Sequence, residues 1–422
     1  MGLLYNIGIR LYELGIGIAA LSGNPKARLW RDGRRGLLER IEHDFARGRE
    51  SNERVVWIHA ASLGEFEQAR PIIERLREER AVNASASPDM RIVVTFFSPS
   101  GYEVRKAYPH ADHTLYLPMD RSSNVRRFLD AVRPDVAIFI KYEFWLNYLD
   151  DLHRRNIPTY LVSAIFRPTQ IHFRPWGRRW RKALRNYATI FVQDEASRRL
   201  LESAGCRRCV VSGDTRFDRV ASIARTAKRI DEIEHFRGDY PLFVAGSTWA
   251  KDENLLIELA NRHPAIRFVI APHEIDDRRI AYLEHSIVHG AVRYTCYNTN
   301  TAPTAQVLIL DTIGLLSSAY GYARWAYIGG GFGVGIHNTL EAATFGLPLA
   351  FGPNYKKFRE ACDLISAGAA TSITGIEELE AWFAPLVNDT QEWQKASSSA
   401  RRYTEEQCGA TDAILSTIKS AI

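Results

Sequence analysis

Hydrophobic positions along this chain fall in short β-branched and aromatic runs, which alternate with longer amphipathic stretches. Segments such as 66–80 and 194–205 repeat apolar residues at helical spacing, whereas the runs between them are continuous, as in strands buried on both faces. This alternation predicts parallel βαβ units in the first half of the chain. The predicted strands there are 55–60, 92–97, 135–140, 158–162, 189–193 and 209–212.

The alternation stops at residues 213–238, which are polar and charged and contain no strand pattern. It then resumes, and this predicts a second doubly wound domain. A cleft between two such domains is a common ligand site. The predicted strands of the second domain are 241–246, 267–271, 307–311, 325–328 and 347–351.

The pattern therefore divides the chain into four parts. They are an N-terminal segment at 1–35, a first Rossmann-like domain at 36–218, a linker at 219–240 and a second Rossmann-like domain at 241–422. A last helical pattern at 388–405 is a candidate for packing back on the first domain.

A glycine-rich loop follows the predicted strand 325–328, with three consecutive glycines at 329–331 and further glycines at 333 and 335. Ligands bind at this end of strands in open α/β sheets, and glycine lets backbone N–H groups approach an anion closely. The spacing matches neither a Walker loop nor the dinucleotide fingerprint. The loop is a candidate phosphate site, although the same glycines would also serve as a plain turn.

Polar residues after this loop fit the start of a helix. Asn338 is a candidate N-cap, and Glu341 lies three residues later, as in a capping box. His337 and Glu341 are four residues apart and would share one helix face. In a functional interpretation Glu341 accepts hydrogen bonds from ribose hydroxyls; in the alternative the pair only caps the helix.

Composition is that of a globular protein of 422 residues, with 46% hydrophobic and 25% charged residues and a net charge of +6. The positive charge is concentrated with Trp at 26–40 and 173–187. Such stretches suit an anionic membrane surface or an acidic ligand, or they are solvated helix faces. Nucleic acid is not an expected partner because no binding motif accompanies the charge.

The first 22 residues are mostly apolar but include Arg10 and Glu13. Two charges at mid-length argue against a spanning helix, and the pattern lacks the basic start of a signal peptide. We expect an interfacial helix, or else a helix packed on the protein itself. The five cysteines are scattered, which favours a reducing compartment over a disulfide framework.

Two carboxylates follow predicted strands of the first domain. Glu65 comes after strand 55–60, behind Ser62 and Gly64 at the start of a helix, and Glu143 comes after strand 135–140. A carboxylate within reach of a substrate hydroxyl acts as a general base. The helix dipole alone would also favour an acid at the position of Glu65.

Other site candidates follow strands of the second domain or the last strand of the first. Ser247 and Thr248 resemble a backbone anion nest, and His273 follows the next strand. Arg216 is placed to reach a phosphate or to pair with a neighbouring aspartate. No metal-binding cluster stands out, so we expect metal-free chemistry with no cofactor.

These motifs, in this order, resemble the bacterial 3-deoxy-D-manno-octulosonic acid (Kdo) transferases, from the N-terminus to about residue 368. The matching segments are HAASLGEF (59–66), TFFSPSGYE (95–103), YLPMD (116–120), EFW (143–145), GDTRFD (213–218), GST (246–248), DTIG (311–314) and HNTLEAATFGLPLAFGP (337–353).

The resemblance implies a GT-B fold, in which two doubly wound Rossmann-like domains face each other across a cleft. It also implies an inverting, metal-independent transfer of Kdo from CMP-Kdo, a co-substrate, to the glucosamine disaccharide of a lipid A precursor (lipid IVA). The implied location is the cytoplasmic face of the bacterial inner membrane, reached through the N-terminal segment and the basic stretches. CMP-Kdo, the lipid A precursor and the anionic membrane surface are the implied partners.

Residue roles carried over from the resemblance are as follows. Glu65 is the implied general base and Glu143 a supporting acid. Ser62, Gly64 and Arg216 are possible phosphate or acceptor contacts. The implied donor-binding residues are Ser247, Thr248, His273, Gly314, Gly331, His337, Asn338 and Glu341.

The chain departs from the family pattern where many members have Pro-Arg-His and it has Pro272-His273-Glu274. The usual basic phosphate contact would then fall to His273 or Arg216. Two alternatives remain open from the sequence. One is another GT-B enzyme, either a glycosyltransferase or a UDP-sugar epimerase, and the other is a non-catalytic, membrane-bound nucleotide-sugar-binding protein.

Overall fold

The computed structural model describes residues 3–50, 52–82, 89–299 and 304–421. The chain divides into two compact units. Unit 1 comprises Met1–Arg219 with Gly409–Ile422, and unit 2 comprises Val220–Cys408. The linker predicted at 219–240 contains the end of the helix Thr215–Arg225 and the helix Asp231–Arg237, and it lies in unit 2 apart from its first residue.

Unit 1 is built on a parallel sheet of seven strands in the order β3-β2-β1-β4-β5-β6-β7. Continuous apolar runs make β1, β4 and the second half of β2 almost fully buried, as expected for strands covered on both faces. The strands are β1 Glu53–Ala60, β2 Asp89–Phe96, β3 His113–Tyr116, β4 Val136–Ile140, β5 Thr159–Ala164, β6 Thr189–Val192 and β7 Cys209–Val211.

The helices of unit 1 cover both faces of this sheet, and the first of them form the N-terminal segment of the chain. They are α1 Leu3–Leu21, α2 Pro25–Arg34, α3 Leu37–Asp44, α4 Leu63–Val82, α5 Pro99–Arg105, α6 Ser122–Val132, α7 Leu146–Arg154, α8 Arg178–Leu184, α9 Glu195–Ser203 and α10 Thr215–Arg225, of which the last runs into unit 2. The C-terminal helix α19, Ala410–Ile418, also belongs to unit 1, where Ile414 and Ile418 pack in the core against Ile72 and Ile73 of α4.

Unit 2 contains a second parallel sheet of seven strands, in the order β10-β11-β9-β8-β12-β13-β14. The strands are β8 Leu242–Thr248, β9 Arg267–Pro272, β10 Ala291–Arg293, β11 Val307–Ile309, β12 Trp325–Ile328, β13 Leu349–Phe351 and β14 Ala370–Ser372. The helices are α11 Asp231–Arg237, α12 Ala250–Arg262, α13 Asp277–Ser286, α14 Leu316–Ala319, α15 Leu340–Ala343, α16 Arg359–Ser366, α17 Ile376–Asn388 and α18 Thr390–Glu406.

Short 3-10 turns complete both units. They are Ile171–Phe173, Pro175–Gly177, Tyr294–Cys296, Tyr320–Tyr322 and Lys419–Ala421.

All eleven strands predicted from hydrophobic runs are confirmed, whereas β3, β10 and β14 were missed. The three missed strands have three or four residues, and most of these are only partly buried. They therefore lack the continuous apolar run of an interior strand. The helical pattern at 388–405 corresponds to α18 in unit 2, and the helix that packs in unit 1 is α19.

The N-terminal helix α1 packs partly on unit 1 and leaves apolar side chains exposed. Its Tyr5 hydroxyl donates to Asp120, and Ala20 is buried. On the outer side, Leu11 and Ile18 are 62% and 60% exposed. Among the described helices, none has both the length and the apolarity needed to cross a membrane.

Candidate active site

The strand orders place the predicted site residues at two topological switch points. In unit 1 the sheet order reverses between β1 and β4, the strands that precede Glu65 and Glu143. In unit 2 it reverses between β8 and β12, which precede Ser247–Thr248 and the glycine-rich loop. Ligands of open α/β sheets bind beyond the carboxyl ends of strands at such points.

In unit 1, His59 and Glu143 form a buried pair at the ends of β1 and β4. His59 Nε2 lies 2.9 Å from Glu143 Oε2, and the Trp145 indole N–H donates to the same carboxylate oxygen. His59 Nδ1 lies 2.9 Å from Thr95 Oγ1, on the neighbouring strand β2. This network holds Glu143 in one orientation next to Glu65.

Glu65 lies in the first turn of α4, and its carboxylate is held at one oxygen only. The Ser62 backbone N–H donates to Oε2 at 3.1 Å, and no hydrogen bond from a described residue reaches Oε1. Burial raises the pKa of Glu65, and the nearby charge of Glu143 raises it further, whereas His59 and Lys141 lower it. A partly desolvated carboxylate with a free oxygen is suited to accept a proton.

The backbone turns sharply where β4 ends. Lys141 has a φ of 67°, which is unusual for a residue other than glycine. The strained position lies directly at the switch point, where such residues are often functional. Nearby Gly64 is exposed, and a Cβ added there would meet no atom within 4 Å, so the loop before Glu65 is open.

Arg216, at the start of α10, is held by its own loop. Its Nε donates to Asp214 Oδ2 at 2.8 Å, and Asp214 Oδ1 accepts a hydrogen bond from Gln68 at 2.9 Å. The sequence left two roles open for Arg216, a contact with a phosphate or an ion pair with a neighbouring aspartate. In the structure Arg216 forms the ion pair, with Asp214.

In unit 2 the glycine-rich loop is tightly folded against neighbouring backbone. Gly330 has a φ of 89°, and a Cβ on Gly331 would lie 2.5 Å from the backbone nitrogen of Gly352. Buried Asp252 of α12 anchors the loop, because it accepts the Gly330 N–H at 2.9 Å and the Tyr327 hydroxyl at 2.7 Å. Gly330 is therefore required by its positive φ, and Gly331 by the close approach of neighbouring backbone.

The turn after β8 also has the geometry of a binding loop. Ser247 has a φ of 54°, and Thr248 is buried with its hydroxyl donating to Glu253 at 3.0 Å. Arg279 forms an ion pair with the same buried glutamate. Ser247, in its left-handed conformation, lies directly beside the glycine-rich loop. A Cβ on Gly329 would lie 2.2 Å from the Ser247 carbonyl oxygen, so this approach requires glycine.

Three aromatic rings form a stack over this turn. The rings of Trp249 and His273 are stacked at 4.8 Å, and those of His273 and His337 at 4.3 Å. Burial and the neighbouring His273 lower the pKa of His337 to about 4, so His337 is neutral at physiological pH. The stack can offer a flat aromatic face to a planar ligand, and His337 does not supply a cation to it.

The helix predicted after His337 is shorter than expected. Helix α15 has four residues and Thr339 as its N-cap, so the prediction that Asn338 is the N-cap is wrong. His337 lies outside the helix and does not share a face with Glu341. Instead, Glu341 Oε1 accepts a hydrogen bond from the Asn338 side chain at 2.9 Å, and Oε2 accepts one from the Ser317 hydroxyl at 3.1 Å. The Asn338 side chain also accepts the backbone N–H of Leu340, and these bonds take the place of a capping box.

Gly314, in the loop after β11, has a φ of 96° and no atom within 4 Å of an added Cβ. The position favours glycine for its conformation and leaves open space above it. Among the described residues, no group of three or more His, Cys, Asp or Glu side chains is arranged to hold a metal ion.

Three residues of these sites were not singled out from the sequence. His59 lies in an apolar strand and reads as a core residue, Asp252 reads as an ordinary acid near a helix start, and Lys141 carries no motif. One available signal was their position at or shortly after the predicted strands, and His59 is also the first residue of the matching segment HAASLGEF.

Two solved structures illustrate the architecture that this chain shares with known proteins. The UDP-GlcNAc 2-epimerase from Methanocaldococcus jannaschii aligns with a TM-score of 0.53 and 14% identity, over 84% of this chain and 98% of that one. MurG from Acinetobacter baumannii gives 0.53 and 14%, over 87% and 99%. These likenesses confirm the α/β class and the GT-B fold.

Comparison with sequences shows similarity to one family. Residues 35–219 match the family model described as 3-deoxy-D-manno-octulosonic-acid transferase (kdotransferase). The Kdo transferase of Bordetella pertussis is 27% identical over 84% of this chain and 85% of its own length, and that of Haemophilus influenzae is 25% identical over 86% of each. This chain is therefore related to the Kdo transferases over most of its length.

Proposed function

We propose that this protein is an inverting glycosyltransferase that moves Kdo from CMP-Kdo to the glucosamine disaccharide of a lipid A precursor. The observation that carries the proposal is Glu65, whose free carboxylate oxygen lies at the switch point of unit 1 beside the His59–Glu143 pair. The similarity to Kdo transferases supports both the sugar and the transfer reaction.

In the proposed reaction, Glu65 accepts the proton of the acceptor hydroxyl. The hydroxyl oxygen forms a bond to the anomeric carbon of Kdo while the bond from that carbon to the CMP phosphate oxygen breaks, so CMP leaves with the bonding electrons. The protonated Glu65 then releases its proton to solvent. A single displacement of this kind inverts the configuration at the anomeric carbon.

Glu143 supports this role through electrostatics. Its charge raises the proton affinity of Glu65, and the hydrogen bonds from His59 and Trp145 keep it at a fixed position. A base with a pKa closer to the working pH takes the proton more effectively.

Unit 2 is the proposed donor-binding unit. Backbone N–H groups of the glycine-rich loop and of the Ser247–Thr248 turn would hold the phosphate, with Gly314 and Gly331 allowing close approach. The stack of Trp249, His273 and His337 would lie against the planar base, and Asn338 with Glu341 would bind ribose hydroxyls. The reaction as proposed uses no metal ion or cofactor, because backbone donors stabilise the leaving phosphate.

The proposal is tested by mass spectrometry of the acceptor after incubation with the purified chain. The reaction contains CMP-Kdo generated in situ and tetra-acylated lipid A precursor. We expect a product heavier by one or more Kdo units. An unchanged acceptor, from a protein that binds CMP, would contradict the assignment and favour another sugar or acceptor.

Glu341→Ala tests the donor-binding unit. We expect weaker CMP binding by calorimetry and a smaller effect on stability, because the Glu341 carboxylate, which accepts hydrogen bonds from Asn338 and Ser317, is the proposed acceptor for the ribose hydroxyls. Glu377→Ala, an exposed glutamate at the start of α17, is the matched control. Equal CMP affinity in the two variants would exclude Glu341 from the donor site.

A further inference from the structure

Unit 1 contains a cavity of about 650 Å³ between its N-terminal helices and the start of α6. Five arginines line it, against two glutamates, and the rest of the wall is largely apolar. The arginines are Arg10, Arg31, Arg34, Arg35 and Arg121, and the glutamates are Glu13 and Glu39.

The positive charge of this cavity is only partly neutralised from within the protein, where Arg31 pairs with Asp32. Glu13 pairs with Arg121, and Glu39 pairs with Arg127 outside the cavity. Within the described residues, neither Arg10, Arg34 nor Arg35 forms an ion pair with a carboxylate, so three lining guanidinium groups carry uncompensated charge.

Arg34 is the most informative of the three because it is partly buried. Its guanidinium donates to the carbonyl oxygens of Phe97 at 2.8 Å and Leu117 at 3.1 Å, and it lies 4.0 Å from the Trp30 ring centroid. Burial lowers the pKa of this group. A guanidinium removed from water without a counterion is costly, and an anion bound in the cavity would repay that cost.

Apolar surface continues from the cavity to the outside of the molecule. Leu14 lines the cavity and is 61% exposed, and it lies on α1 with other exposed apolar side chains. Leu37 and Met119 form part of the inner wall. A ligand with an anionic head and an apolar body would match both parts of this surface.

We propose that this cavity binds the phosphate monoester head group of a lipid, with the apolar body of the lipid lying along α1. A phosphate monoester carries close to two negative charges at neutral pH and accepts bidentate bonds from arginine, which suits several unpaired guanidinium groups better than a monoanion does.

The cavity is linked to the candidate active site by two hydrogen bonds and one aromatic contact. Arg34 donates to the backbone of Phe97, whose ring lies 4.8 Å from that of Trp145, and Trp145 donates to Glu143. A lipid anchored here would hold its sugar near Glu65. This inference deepens the proposed function. It rests on the proposed function in one respect, the statement that the bound lipid is the acceptor.

The test is calorimetric titration of the full chain with dihexanoyl phosphatidic acid below its micelle concentration. The variant Arg10→Gln/Arg35→Gln removes two exposed cavity arginines, and Lys26→Gln/Arg126→Gln removes the same charge from exposed positions outside the cavity. We expect saturable binding that weakens about tenfold or more in the cavity variant. The control should change by no more than about twofold, as for screened surface charge.

Equal losses in the two variants, with both folded by circular dichroism, would overturn the proposal. Inorganic phosphate that binds as tightly as the lipid would overturn it too, because the site would then be one for free anions. The two proposals fail separately. If lipid binds through these arginines but no Kdo is transferred, the cavity assignment stands and the proposed activity fails. If Kdo is transferred but the cavity variant binds lipid as tightly as the unaltered chain, the activity stands and the cavity assignment fails.

Discussion

At the scale of single residues, the chemistry depends on the environment that the fold gives to Glu65. A glutamate at the start of a helix is ordinary, and its local sequence shows nothing more. The structure adds burial and the neighbouring charge of Glu143, which raise the pKa of Glu65, and it adds His59 and Lys141, which lower this pKa. The net rise marks Glu65 as a candidate base.

Glu65→Gln should lower kcat by about 100-fold, the usual contribution of a general base, and should leave CMP binding unchanged. The amide keeps the bond from Ser62 and removes the proton acceptor. Glu78→Gln, at an exposed position on the same helix, is the matched control. Turnover within a factor of about two of the control would remove Glu65 from the base role.

Glu143→Gln should shift the pH profile of kcat/KM. The base must be deprotonated, so activity falls as the pH drops through the raised pKa of Glu65. Removing the charge of Glu143 lowers that pKa, and the acid limb should therefore move to lower pH. An acid limb that stays in place or moves to higher pH would contradict the electrostatic role assigned to Glu143.

At the scale of elements, two strands and the loops after them form each site. Hydrophobic runs were enough to predict the interior strands and to place Glu65, Glu143 and the glycine-rich loop at strand ends. They did not predict the edge strands β10 and β14, whose residues are only partly buried. They also misjudged α15, because the bonds of Asn338 and Ser317 to Glu341 replace the capping box that the local sequence suggests.

Long-range anchors were the part of the site that sequence patterns could not show. Asp252 and Gly330 are 78 residues apart along the chain, yet their hydrogen bond fixes the glycine-rich loop. His59 and Glu143 are 84 residues apart. Such pairs depend on strand order, which hydrophobic periodicity does not determine.

Asp252→Ala should lower the free energy of unfolding by roughly 3 kcal/mol, because it leaves the N–H groups of Gly330 and Trp249 and the hydroxyl of Tyr327 without their buried acceptor. CMP binding should weaken as the loop loosens. Urea unfolding of this variant and of Lys251→Ala, at the adjacent exposed position, measures the difference. Equal midpoints would show that the loop does not depend on this carboxylate.

At the scale of the whole molecule, the apolar face of α1 lies on the same unit as a basic stretch with an exposed tryptophan. Trp176 is 73% exposed, between Arg174 and Arg178. Exposed apolar side chains beside arginines suit the interface of an anionic membrane. We therefore propose that unit 1 works at a membrane surface, where a lipid acceptor is available.

Leu11→Glu/Ile18→Glu should reduce co-sedimentation with vesicles containing phosphatidylglycerol, because each change places a charge on the apolar face of α1. The control Val82→Glu/Val288→Glu adds the same charge at exposed apolar positions elsewhere, Val82 being 83% and Val288 75% exposed. An equal reduction in both variants would mean that general charge repulsion, and not α1, governs binding.

The most direct test of the account is Kdo transfer by the purified chain, read by mass spectrometry of the lipid A precursor, with Glu65→Gln run in parallel. The account predicts a product that carries added Kdo for the unaltered chain and about 100-fold slower formation of it for the variant. No added Kdo, or equal rates for the two proteins, would contradict it.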